Sequence, residues 1–335
     1  MYCRLSRYPA CAFLFGGIIT QTPKRASSAR HIYDTTTTHF IFDTSHPITK
    51  MADPLSQRTD PLYQKDGQKY THTSTLTSIQ PLSSLPETTQ GLFKPPPEAN
   101  PAYILTTPST IFHAQGGGQP SDTGNITLGE ATFAVHQVRK LDPTILHMGS
   151  FPSASSAPAF TAAKTAAGEE TQLSQSIDVE KRVLHSRIHT AGHVIGLAIH
   201  ALIATGTLPS NITDGKASHY PSAAFVEFAG LIPGDAKAAI QAKVDEMVAQ
   251  DLPVSILFWD EEKVKGECKG VGQGDAIKGD EVDGVRVVRI GELGSYPCGG
   301  THVRGLAECG KVVVRGVNRQ KGVSKISYEV QDVWA

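Results

Sequence analysis

Two short stretches carry the residue types that could do chemistry. The first, Arg187-Ile188-His189-Thr190-Ala191-Gly192-His193, sets two histidines four residues apart. On a helix that spacing stacks side chains one turn above each other, so the imidazoles can converge on one ion. The second, Cys298-Gly299-Gly300-Thr301-His302-Val303, sets a cysteine and a histidine four apart around a glycine turn, and such a pair can complete a tetrahedral zinc site. Neither is decisive alone. Helices carry such histidine pairs by accident, and His185 and His200 belong to the same segment. Nor is this a metalloprotease pattern, because Thr190 stands where a general-base glutamate would follow His189. Cys298 and His302 alone could equally be a small buried hydrophobe and a turn histidine. Taken together, three imidazoles and a thiolate suit zinc better than magnesium or calcium, which prefer oxygen ligands.

A third stretch, Gly116-Gly117-Gly118-Gln119, lacks the Gly-Lys-Ser/Thr ending of a phosphate loop. It reads as a turn between strands, or as a place where glycines let a substrate backbone or ribose approach closely. In the second case Gln119 would supply a donor and an acceptor.

The elements that must position these stretches fall into two groups. Tyr70–Leu82, Ala102–Thr107, Thr110–Phe112, the region around Ile126–Leu128 and Ala131–Arg139 read as short strands with Gly/Pro turns between them, the pattern of a small β-barrel-like domain. Phe93–Pro97 reads as a polyproline surface connection. Ser153–Ala167, rich in Ala, Ser and Thr, reads as a loop or insertion. From Asp178 the pattern becomes helical to about Thr205, with Asp178 as N-cap and Gly206 as stop. That helix would run roughly 40 Å at 1.5 Å per residue. Strands at Ala223–Phe228, Val254–Trp259, Val285–Ile290, Lys311–Val317 and Ser324–Val330, with an amphipathic helix over Pro233–Gln250, complete an α+β arrangement of helices on a mostly antiparallel sheet. The expected division is an extension over 1–66, a β-barrel-like domain over 67–172 that carries the glycine run, and a zinc-binding α+β domain over 173–335.

The 335 residues are enough for two domains with cores of their own. A formal net charge of −1 excludes a generally basic nucleic-acid coat, so any RNA contact must come from a local patch. Lys311, Arg315, Arg319, Lys321 and Lys325 are the candidates, against the bland alternative of a solvated sheet edge. Five widely spaced cysteines do not look like a disulfide framework, which favours a reduced compartment. The sequence contains no run of about 18 apolar residues, so no membrane partner is expected. Arg4, Arg7, Lys24, Arg25 and Arg30 all precede the first acid, Asp34. Such a composition suits mitochondrial targeting by residues 1–50, although Met51-Ala52-Asp53-Pro54 would make an ordinary start for a cytoplasmic protein, which is the expected location.

Phe112–Gly124, Asp178–His193 with Arg182 and Arg187, Cys298–Val303 and the tail Lys321–Val330 resemble the editing module of alanyl-tRNA synthetase. They also resemble its free-standing AlaX relatives and the related domain of threonyl-tRNA synthetase. Four motifs in the same order, from roughly Tyr70 onward, carry the resemblance. It implies a free-standing trans-editing enzyme: a zinc-dependent deacylase for alanine tRNA mischarged with serine or glycine. The sequence leaves the oligomeric state open, with a monomer favoured. It further implies His189, His193, Cys298 and His302 as metal ligands, and an amino-acid pocket that includes Gly117, Gly118, Gln119, Thr190 and Thr301. The family usually has Tyr where this chain has His113, and an acid or hydroxyl residue at Gln115; His113 is expected at the surface or in a stack. Two further readings are a zinc-stabilised tRNA-binding protein without catalysis and a hydrolase of small aminoacyl esters.

Overall fold

In a computed structural model of the chain, residues 54–153, 155–165, 171–271, 279 and 283–332 are described. Residues 1–50, expected as an extension or targeting segment, lie outside them. The protein is α+β. Its first half is one antiparallel sheet of seven strands. In spatial order they are Thr71–Thr75, Gln172–Ile177, Gly124–Leu128, Ala131–Leu141, Thr144–Ser150, Tyr103–Thr106 and Ser78–Pro81. The two edge strands are joined only by Leu76 and Thr77. Two residues cannot span an open sheet of this width, so the sheet curls until its edges nearly meet. Ile111, Phe112, Ile126, Phe133, Val135 and Val138 fill the interior.

The single strand expected over Tyr70–Leu82 is therefore two strands that turn the corner between the sheet's edges. Residues 55–66, expected as part of the extension, pack onto this sheet. Asp60–Pro61 pairs in parallel with Ser109–Thr110, Tyr63 is buried, and the Thr59 hydroxyl donates to Thr107 O at 3.0 Å. Ser156–Thr165 is a helix rather than a loop. Its alanines favour helix, Pro158 falls in the first turn where its missing N–H costs nothing, and Phe160 is buried against Phe151 and Phe133.

The second half is built on the helix Val179–Ala204. The Asp178 side chain caps it by accepting from Lys181 N at 3.1 Å, and Gly206, with φ 72°, lies just past its end. A second helix, Lys237–Ala249, contributes Ile240, Val244 and Met247 to the same core. Four antiparallel strands, Thr213–Ser218, Phe225–Ala229, Val323–Gln331 and Lys311–Gln320 in that order, cover this pair with Phe228, Val312, Val314, Ile326 and Tyr328. A smaller sheet of Val254–Trp259, Val285–Ile290 and Gly294–Pro297 leads directly into Cys298. Among the described residues, no helix is long and apolar enough to cross a membrane.

Candidate metal centre

His189 and His193 project from the buried face of the long helix, and the chain leaving Gly294–Pro297 brings Cys298 and His302 against them. One ligand atom from each of the four lies within 4.8 Å of all the others, the one such cluster of His, Cys, Asp or Glu among the described residues. The Cys298 Sγ is 3.4 Å from Nε2 of both His189 and His302. Gly300 is what allows the loop to come this close, because a Cβ there would collide with the His189 ring and Gln119 Oε1.

The surrounding hydrogen bonds fix which ring nitrogen is free. Gln119 Oε1 accepts from Thr301 N at 3.0 Å, which orients the amide. The contact of 2.8 Å between His189 Nδ1 and the same oxygen must then be a donation from Nδ1–H, leaving the Nε2 lone pair facing the thiol. The Thr190 hydroxyl donates to Ser186 O at 2.8 Å, so at 3.1 Å it accepts from His302 Nδ1–H. The Nε2 of His302 is freed in the same way. Partners of this kind set tautomer and ring angle in metal sites. His193 differs: its Nδ1 is buried with no hydrogen-bond partner, and its ring lies edge-on to Tyr296 at 4.9 Å.

Burial keeps these imidazoles neutral, as ligands must be. It holds the His193 pKa down at about 3, and those of His189 and His302 well below the ordinary value. Burial also raises the pKa of the Cys298 thiol, with the Arg286 guanidinium pulling against it. Arg286, on Val285–Ile290, donates Nη1 to Cys298 O and Nε to Gln64 O at 2.7 Å. Three neutral imidazoles, one of them with an unpaired buried nitrogen, and a thiol beside a cation form a donor set that fits zinc.

The pocket residues named from the resemblance divide sharply. Gln119, Thr190 and Thr301 are each 0 % exposed. Thr301 Oγ1 is held by Gln119 Nε2 at 2.9 Å and by Ser186 Oγ at 2.7 Å. These three side chains have no surface left for a substrate; they hold His189, His302 and the loop between Cys298 and His302. Gly117 is open to solvent, and Gly118 is half-buried against Ala217 and His219. Both have positive φ in a turn closed by Gly116 and Gln119, and no atom lies within 4 Å of a Cβ built on Gly117.

Arg182 ties the glycine turn to the helix. It is 1 % exposed, binds both carboxylate oxygens of Asp122, and donates to Gly67 O and Ile111 O at 2.6 Å each. His113 is buried rather than at the surface, edge-on to Tyr63 at 5.2 Å. The five basic candidates lie on the hairpin of Lys311–Gln320 and Val323–Gln331. Arg315 pairs with Glu329 at 3.2 Å, Lys325 sits 3.5 Å over the Phe225 ring, and Lys311, Arg319 and Lys321 are exposed. Arg286 and His219 lie outside the motifs quoted from the sequence, and Ser186 and Tyr328 lie inside them without a role that the sequence marks.

Residues 285–327 match the family described as the threonyl and alanyl tRNA synthetase second additional domain, a span that includes Arg286, Cys298 and His302. The chain resembles this domain over that span. It is 31% identical over 229 residues to an alanine–tRNA ligase of Methanoculleus marisnigri, covering 65% of this chain and 22% of the ligase. It is 27% identical over 220 residues to the alanyl-tRNA editing protein AlaX-L of Pyrococcus horikoshii, covering 65% of this chain and 49% of that protein. The chain thus spans half or less of the relatives it matches, and it is AlaX-like.

Proposed function

We propose that the protein is a zinc-dependent trans-editing hydrolase that deacylates alanine tRNA mischarged with serine or glycine. The observation that carries this reading is the convergence of three imidazoles and a thiol within 4.8 Å, in a chain related to an alanyl-tRNA editing protein. His189, His193, Cys298 and His302 would hold the zinc. Bound there, zinc would supply Lewis acidity toward an ester oxygen or water.

The chain's own residues do the rest. Gln119 and Thr190 keep two imidazoles in the ligating tautomer. The exposed Gly117 would let the substrate backbone approach without side-chain hindrance. A cleft of about 920 Å³ reaches Cys298 past Arg286, Gln64 and Lys65, in the size range of sites that enclose a small-molecule-sized group. Lys311, Arg315, Arg319, Lys321 and Lys325 are the surface proposed for the tRNA backbone.

The deciding experiment is deacylation of Ser-, Gly- and Ala-charged alanine tRNA, with and without a chelator. Release of serine or glycine, but not alanine, that stops on chelation supports the reading. Cys298→Ala with full activity and normal zinc content would sink it. A second reading, a zinc-stabilised tRNA-binding protein without catalysis, is favoured by four side chains that can close a tetrahedral site with no exchangeable position. No turnover by fully zinc-loaded protein that still binds tRNA would select it.

A further inference from the structure

His219, on the segment after Thr213–Ser218, takes no part in the ligand set, yet its ring stacks on His189 with centroids 4.1 Å apart and planes 22° from parallel. Its backbone N–H donates to Gly118 O at 2.8 Å, tying it to the exposed glycine turn. Its Nδ1 is 2.6 Å from the Tyr328 hydroxyl, which is 3.0 Å from Ile188 O. A phenol has one hydrogen and the carbonyl can only accept. Both contacts are satisfied one way: Tyr328 O–H donates to Ile188 O, and the phenol oxygen accepts Nδ1–H of His219. The ring is therefore locked with a bare lone pair on Nε2.

Among the described residues that nitrogen has no hydrogen-bond partner, and the His219 side chain as a whole is 3 % exposed. The two ring carbons that flank it face glycines. A Cβ on Gly192 would come within 2.5 Å of Cε1, and one on Gly118 within 3.2 Å of Cδ2. A neutral acceptor is thus presented beside the metal cluster and the glycine turn, between two positions with no side chain. Among the described residues no carboxylate is hydrogen-bonded to the ring. A lone neutral acceptor takes an O–H or N–H donor, and serine carries a side-chain hydroxyl that glycine lacks.

We propose that His219 Nε2 accepts a hydrogen bond from the serine hydroxyl of the bound seryl ester, making His219 the residue that favours serine over glycine. The inference rests on the deacylase reading. The test is deacylation of Ser- and Gly-charged alanine tRNA by zinc-loaded wild type, His219→Phe and Tyr328→Phe, with zinc content measured in each. Phenylalanine keeps the stack on His189 but removes the acceptor. A site that loses the partner of a substrate hydroxyl loses discrimination, so the serine-to-glycine rate ratio should fall about tenfold, one hydrogen bond's worth, at unchanged zinc content. Tyr328→Phe keeps the acceptor atom but releases the tautomer lock, and should lower the ratio in the same direction by less. If His219→Phe fails to fold, Tyr328→Phe alone decides. Equal slowing of both substrates, or a loss of zinc with the ratio intact, assigns His219 a purely structural role and overturns the inference. Wild type inactive on both esters overturns the deacylase reading and this inference together.

Discussion

The two halves of the ligand set are held by different means. His189 and His193 sit four apart on a helix whose own hydrogen bonds fix their spacing. Their neighbours Ala191, Val194, Ile195 and Ala198 are fully buried, so that spacing would survive the loss of any single outside contact. Cys298 and His302 have no such backbone. Their positions come from Arg286 on Cys298 O, Gln119 on Thr301 N, and Thr190 on His302 Nδ1 and Val303 N. Half of the set is preorganised locally and half is assembled by contacts from distant parts of the chain. Substitutions in the long-range ties should therefore cost more at the site than substitutions in local ones.

The largest effect is expected at Arg182. Its guanidinium and the Asp122 carboxylate are each 1 % exposed, and they join the glycine turn to the ligand helix. Arg182→Met leaves an uncompensated buried carboxylate, which costs about 3–5 kcal/mol, measurable as a shift of the denaturant midpoint. Arg182→Met with Asp122→Leu should recover part of that loss: it removes the unpaired charge but leaves Gly67 O, Ile111 O and His113 N without these partners. If the double variant is no more stable than the single one, the pair is not the tie described.

Next comes Gln119. Its amide serves both halves of the set, orienting His189 and the Thr301 backbone. Loss of such an outer-shell partner costs roughly 10–100-fold in metal affinity. Gln119→Ala should therefore weaken zinc binding by about that factor in a chelator competition, with the helix content seen by circular dichroism unchanged. Zinc affinity within twofold of wild type would show that the loop pair is preorganised without Gln119, and the contrast between the halves would fail.

The same contrast explains what was legible in the sequence. His189/His193 and Cys298/His302 are each written within five residues, and the helix limits at Asp178 and Gly206 are marked by a capping side chain and a glycine. Val254–Trp259 and Val285–Ile290 stand out as apolar, β-branched runs. Thr144–Ser150 shows no alternation because all its residues are buried, and Thr213–Ser218 is too polar to announce a strand. The amide of Gln119 stands out beside the glycine run as a substrate contact, yet its partners lie 70 and 182 residues away. No local pattern says that such an amide is already spent. Arg286 and the pair of His219 and Tyr328 were missed for the same reason: their roles exist only once distant strands are folded against the helix.

The smallest effect should come from the most local tie. Asp178 accepts from Lys181 N at the first turn of the helix, and its partly exposed carboxylate also lies 3.0 Å from the Lys181 ammonium. Replacing an N-cap aspartate with alanine costs about 1 kcal/mol. The cost stays at the helix end, because His189 is three turns further on at 3.6 residues per turn and the intervening Arg182, Ser186 and Ile188 are buried. Asp178→Ala should lower the melting temperature by a few degrees, since about 1 kcal/mol shifts a chain of this size by roughly 2–4 °C. Zinc affinity and deacylation should stay at wild-type levels. A loss of zinc affinity comparable to that of Gln119→Ala would mean that fraying at the cap reaches the ligand turn, and that the helix is a less independent support for His189 and His193 than its burial indicates.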